Sequence, residues 1–325
     1  MTPSQANATH PPDAAAAHPV FAAQVLEGLS ARPKRIPSTW FYDHRGSELF
    51  EQITALDEYY LTRSETALLR SLHAEFSRLP AGAAVIEFGS GSSRKTPLLL
   101  DALRTPASYT AIDISGDFLR QSVRGLQLRY PRLDVHALEA DFSAPLQWPP
   151  ALAAAVQQQP RIGFFPGSTI GNFTPEQAVR FLHGAAAFLG HGAQLLVGVD
   201  GTQDKARLIP AYDDARGVTA TFNRNLLLRI NRELGADFNP QAFRHVARFD
   251  PAHSRVEMHL MSPAPQTVHL LGQRFRFDAA ETLHTENSYK YPAAMFQRLA
   301  IAAGWTPQKH WLAADSDVAL HLLQA

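Results

Sequence analysis

Residues 83–96 read Ala-Ala-Val-Ile-Glu-Phe-Gly-Ser-Gly-Ser-Ser-Arg-Lys-Thr. A short apolar run closes on an acid, two glycines follow one residue apart, and a polar stretch leads into Thr96-Pro97. That order predicts a buried strand, a tight turn and a helix start. Strand patterns then recur at 108–115, 133–142, 161–173 and 193–200, separated by helical patterns at 97–104, 118–128 and 175–189. Strand alternating with helix predicts an α/β fold, a doubly wound parallel sheet with helices on both faces.

After Asp200 the rhythm stops. Val218, Phe222, Leu226, Ile230 and Leu234 form a stripe at spacing four, which predicts one long amphipathic helix over 212–234. Val256, Met258 and Leu260 alternate, and two further strand patterns flank a glycine turn near Gly272, suggesting antiparallel strands. A helix over 291–303 and strands near 305–312 and 318–325 resume the α/β pattern. Residues 202–290 therefore read as an insertion, and residues 1–19, rich in Ala and Pro, as a disordered tail. Upstream of the sheet, 20–29 and 64–79 read as helices, and a third starts near Glu48.

Composition removes several classes of function. The 325 residues carry 30 Lys+Arg and 30 Asp+Glu, a formal net charge of zero. Such a balance supplies no field to attract a duplex nucleic acid or an anionic membrane. The chain has no cysteine, which excludes disulfides, thiolate nucleophiles and Cys-ligated metals. Its 14 histidines show no metal-binding spacing, so no metal is expected. The start has no basic, apolar leader and no run is long enough to span a membrane, so a cytoplasmic location is expected. A monomer acting on a small molecule is the expected working form.

The glycine loop itself admits three ligands. A phosphate loop or a dinucleotide loop would each need glycine where Arg94 stands. Glu87, at the end of the strand, would repel a phosphate and favour a cation. S-adenosylmethionine (SAM) carries an ammonium and a sulfonium and no phosphate, so it suits the acid best. Asp113, 24 residues beyond Gly89, is placed to accept ribose hydroxyls. Asp141 and Phe142, ending the third strand, could hold the adenine amino group and ring. All lie at carboxyl ends of consecutive strands, where doubly wound folds bind ligands.

These residues and their neighbours resemble the SAM-dependent L-histidine Nα-methyltransferases of the ergothioneine pathway. The resemblance is carried by YDHRGSELFEQIT, EYYLTRSE, EFGSGSSRKT, DIS, ADF, FPGSTIGNF, AYDDARGVTATFNRN, LGADF, VEM and TENSYKY, in that order from Tyr42 to Tyr291. It implies a class I, Rossmann-like methyltransferase domain (63–201 with 291–325). Alongside it stands an α+β substrate-binding domain (20–62 with 202–290). The activity implied is three successive methyl transfers to the α-amino group of L-histidine, giving hercynine.

Carried over by position, the resemblance implies that Gly89, Lys95, Asp113, Asp141 and Phe142 contact SAM. Gly167, Asn172 and Tyr212 would belong to the substrate site, the last two holding the carboxylate without a cation. Tyr59, Glu286 and Ser288 would read the imidazole, Met258 would line its pocket, and Tyr42 and Phe50 would surround the reacting nitrogen. Four positions keep a structural alternative: Met258 as core, Tyr59 as a cap on a hydrophobic seam, Asn172 as a cap for the helix near Pro175, and Lys95 as a solvated residue. Two other functions remain open, a methyltransferase for another amine and a SAM sensor without catalysis.

Overall fold

The glycine loop occupies the switch point of a doubly wound sheet. The computed structural model describes residues 14–325. Its strands are β1 (Lys34–Arg35), β2 (Ala84–Phe88), β3 (Ser108–Asp113), β4 (Asp134–Glu139), β5 (Arg161–Phe165), β6 (Gln194–Asp200), β7 (Arg244–Asp250), β8 (Arg255–Met261), β9 (Gln266–Leu270), β10 (Gln273–Phe277), β11 (Thr282–Tyr289), β12 (Thr306–Leu312) and β13 (Val318–Gln324). Seven of them form one sheet in the order β12-β13-β6-β5-β2-β3-β4. The run from β6 to β4 is parallel, and β13 inserts antiparallel between β6 and β12. Helices on both faces explain why every residue of β2 is buried, whereas β4, at the edge, exposes Asp134, Ala137 and Glu139. From β2 the chain winds outward through β3 and β4, then returns to β5 on the other side. The loops after β2 and β5 therefore leave a crevice at the carboxyl edge between them.

A second sheet, ordered β1-β11-β8-β7, lies in the segment that breaks the α/β rhythm, and β9 and β10 form a separate hairpin. β1 comes from the N-terminal region and pairs parallel with β11. One apolar cluster draws together Phe21, Phe41, Ile53, Phe222, Leu226 and Leu260, so residues before the large sheet pack on residues after it.

Several boundaries differ from the sequence-based expectation. The helix expected over 212–234 is two: Lys205–Tyr212 and Val218–Leu234. Between them Gly217 takes a φ of +70°, and the Asp214 carboxylate accepts the Val218 and Thr219 amides at 3.0 and 2.7 Å. That cap starts a new helix and leaves Tyr212 at the end of the old one. Phe222, Leu226, Ile230 and Leu234 are buried, as their spacing predicts. The helix expected from Glu48 begins at His44, capped by Asp43, and 64–79 holds two helices, Tyr60–Ser71 and His73–Phe76. The helix Pro150–Gln157 has no expected counterpart; its Ala-rich sequence offers little apolar periodicity. Of the expected disordered tail, residues 1–13 lie outside the described residues, and Ala14–Ala17 form a helical turn.

Candidate active site

Gly89 lets the chain turn sharply off β2. Its φ is +67°, and a Cβ there would stand 3.3 Å from the Phe142 ring. Only glycine meets both conditions without strain. The loop is held by Asp113, whose Oδ2 accepts the Gly91 amide at 3.0 Å and Oδ1 the Ser115 amide at 2.9 Å. Burial raises the Asp113 pKa, against the lowering effect of those amides. Asp141 accepts the Ser143 amide and hydroxyl at 2.8 and 2.6 Å, and the Phe142 ring stands edge-on to Phe165. Gly89, Lys95, Asp113, Asp141 and Phe142 line one cleft.

Glu87 departs from its expected role. It is 1% exposed, its Oε2 accepts Thr96 Oγ1 at 2.6 Å and the Tyr109 hydroxyl at 2.7 Å, and burial pushes it up to about 7. Its charge is thus partly suppressed at neutral pH, and it acts mainly as a strut under the loop. Lys95 is not a solvated residue either. Its ammonium is paired with the buried Glu65, whose carboxylate also accepts the Gly167 amide at 2.8 and 2.9 Å. Sequence reasoning missed Glu65; the facing Gly198, whose Cβ would lie 1.8 Å from Glu65 Oε1, makes room for it.

A smaller cavity opens off the cleft. Tyr42, Phe50, Tyr59, Gly167, Asn172, Tyr212, Met258, Glu286 and Ser288 all line it, and Tyr42, Phe50, Tyr59, Gly167, Asn172 and Glu286 line the cleft as well. The aromatic residues meet edge-on, Phe50 with Tyr42 at 5.8 Å and Tyr59 with Tyr212 at 6.2 Å between centroids. Asn172 ends the 3-10 turn Thr169–Asn172 and is not a helix cap; Thr174 caps the helix at Pro175. Met258 serves as core and cavity wall together, because β8 presents it opposite Glu286.

Glu286 and Ser288 share a face of β11 through its period of two. A register shift between His284 and Glu286 sets that face toward the cavity. Burial raises Glu286 to about 8, with Lys290 acting in the opposite direction. Burial and then Glu286 hold the Tyr42 phenol well above its usual value, so its hydroxyl stays protonated.

A cation lies behind two of the expected substrate residues, though it lines neither the cavity nor the cleft. Lys290, fully buried, donates to the Tyr212 hydroxyl at 2.8 Å and to Ser288 Oγ at 2.9 Å, and pairs with Asp200 at 3.1 Å. Tyr212 and Ser288 are themselves 2.7 Å apart, and Tyr60 donates to Asp200 at 2.7 Å. The period of two that pairs Glu286 with Ser288 reaches Lys290 next, a signal the sequence contained.

The family profile described as "Histidine-specific methyltransferase, SAM-dependent" matches residues 21–325. The chain belongs to this family. Among relatives of this histidine-specific methyltransferase family member is the histidine N-alpha-methyltransferase of Mycobacterium tuberculosis, 42% identical over 313 residues, covering 94% of this chain and 95% of that protein. The enzyme of the same name from Mycolicibacterium smegmatis is 41% identical, covering 88% and 89%. Ergothioneine biosynthesis protein 1 of Neurospora crassa is 32% identical over 90% of this chain, which spans 33% of that longer protein. The seven-stranded sheet of this family member is the class I, Rossmann-like arrangement expected from its sequence. Among the described residues no helix is long and apolar enough to cross a membrane, and no cluster of three His, Asp or Glu is placed to hold a metal.

Proposed function

We propose that this protein transfers three methyl groups in succession from SAM to the α-amino nitrogen of L-histidine, giving hercynine for ergothioneine biosynthesis. One observation carries the reading: a cavity bearing Glu286, Ser288, Asn172 and Tyr212 opens through Tyr42 and Phe50 into the cleft of Gly89 and Asp113.

SAM fits that cleft by the chain's own geometry, since a Cβ at Gly89 would fill the space beside Phe142, and Asp113 retains lone pairs for ribose hydroxyls. When bound, SAM supplies an electrophilic methyl group on a sulfonium. The residues contribute position first, because aligning the amine with that methyl lowers the barrier most. Glu286 and Ser288 anchor the imidazole, and Asn172 and Tyr212 the carboxylate, which leaves the amine between Tyr42 and Phe50. Aromatic faces accept a nitrogen that gains methyl groups and a fixed charge without demanding a hydrogen bond. Before each transfer the ammonium gives a proton to water, and the donor would leave as the neutral thioether. In the first two transfers a protonated Tyr42 can accept the remaining N–H through its oxygen. In the third, where no N–H is left, the aromatic walls alone align the nitrogen lone pair.

The same reading divides the chain into a substrate-binding domain (20–62 with 202–290) and a methyltransferase domain (63–201 with 291–325). The shared apolar cluster and the pairing of β1 with β11 support that division. A monomeric cytoplasmic enzyme without metal completes the proposal; the absence of cysteine is compatible with a reducing compartment and removes Cys-ligated metals.

Incubation with excess SAM and the twenty free amino acids, followed by mass spectrometry, tests it. Histidine alone should gain three methyl groups, with mono- and dimethyl species at early times. Methylation of another amino acid in preference would overturn the substrate assignment.

A further inference from the structure

We propose that Lys290 is a positioning residue of the amino-acid site, directing the Tyr212 hydroxyl proton to the substrate carboxylate and leaving Ser288 to meet the imidazole as an acceptor. The proposal rests on the histidine reading above.

An ammonium has three protons and no lone pair. Those of Lys290 are taken by Asp200, Tyr212 and Ser288 at 3.1, 2.8 and 2.9 Å. Both hydroxyl oxygens therefore accept from Lys290, and they also lie 2.7 Å from each other, where only one proton fits. Of their two protons, one lies between them and one is left for the cavity. A carboxylate beside Tyr212 selects the arrangement in which Ser288 donates to Tyr212 and Tyr212 donates to the ligand. Donation from a phenol already polarised by a cation is the stronger bond. Ser288 has then spent its proton and offers only a lone pair.

The pattern has a consequence for the imidazole. One ring nitrogen must be an N–H to reach Ser288, and the other faces Glu286 with a single proton between them. The ammonium also does not repel a trimethylated product as a lone Arg would. Asp200 balances it, and is held in turn by Tyr60 at 2.7 Å and the Thr202 amide at 3.0 Å. Burial would raise Asp200, yet Lys290 and these donors keep it below its ordinary value.

The test is a mutant cycle between Lys290→Met and Tyr212→Phe. Lys290→Met strands a buried carboxylate, so Lys290→Met/Asp200→Asn is made beside it. In either, KM for L-histidine should rise at least tenfold while KM for SAM stays within twofold. In the Tyr212→Phe background the same change should cost less than twofold. A histidine KM within twofold of wild type, or an equal rise in both backgrounds, would overturn the proposal. Should both Lys290 variants unfold, histamine decides on the intact enzyme. Lacking only the carboxylate, it should bind at least tenfold more weakly than L-histidine, and equal binding would sink the assignment. Failure of the wild type to methylate histidine would instead overturn the parent reading, and this one with it.

Discussion

Glu65 joins the two halves of the site: one carboxylate holds the Lys95 ammonium of the glycine loop and the Gly167 amide of the loop after β5. The first loop lines the larger cleft alone, whereas Gly167 lines both spaces. A single buried carboxylate thus ties the glycine loop to the loop after β5.

Glu65→Gln keeps the shape but halves what the carboxylate can accept and removes its charge. SAM and L-histidine affinities should both fall, each by about fivefold or more, as a buried charged hydrogen bond is worth roughly 1.5–3 kcal/mol. Calorimetric titration with each ligand checks this. Loss of only one affinity would show that Glu65 serves one subsite and does not couple them.

Histidine binding should depend on pH with two limbs. Glu286 sits at about 8, and a free imidazole at about 6.5. The contact between them holds one proton. Below about 6.5 both partners are protonated, so binding must expel a proton and weakens as pH falls. Above about 8 neither is, so binding must take one up and weakens as pH rises. Glu286→Gln removes the upper limb, which titration of histidine affinity from pH 6 to 9 would reveal. An upper limb that survives the substitution would assign it to another group.

The same carboxyl affects the empty protein. Its pKa in the folded chain lies above the ordinary 4.5, so the folded state binds more protons and stability declines as pH rises from there to about 8. Glu286→Gln should therefore gain thermal stability over wild type as pH increases across that window. Parallel melting curves at pH 5 and pH 8 measure it, and a constant difference between the two proteins would contradict the assignment.

Asp113→Ala should weaken SAM binding at least tenfold. Because Asp113 also accepts the Gly91 and Ser115 amides, Asp113→Asn separates its two duties. The amide retains one acceptor, and the loss should be smaller. Equal losses would mean that both oxygens are needed, and unchanged affinity in Asp113→Ala would remove the ribose assignment.

Gly89→Ala should destabilise the protein by about 1–2 kcal/mol, from its left-handed backbone and the approach to Phe142. SAM affinity should fall with it. A variant as stable as wild type would show that the loop relaxes more easily than its packing implies.

Much of this molecule was legible in one dimension. Alternating apolar runs and helical spacings determined the order of sheet and helix, because burial on both faces of a parallel sheet leaves a local mark at β2, β3 and β5. The loop at Gly89 and the acids at Asp113 and Asp141 were readable for the same reason, since they follow directly from strand ends. Glu286 and Ser288 were legible only through the family resemblance, since no strand pattern was expected over 282–289, and the pleat that puts them on one face came with the structure. Only the tertiary structure decided the partners of those groups. Lys95 meets Glu65 across 30 residues, Gly167 meets it across 102, and Lys290 meets Tyr212 across 78. The suppressed charge of Glu87 and the raised pKa of Glu286 likewise belong to the fold. A local pattern encodes which way a side chain points, but the desolvation and the hydrogen-bond partner it finds there come from segments packed against it from elsewhere in the chain.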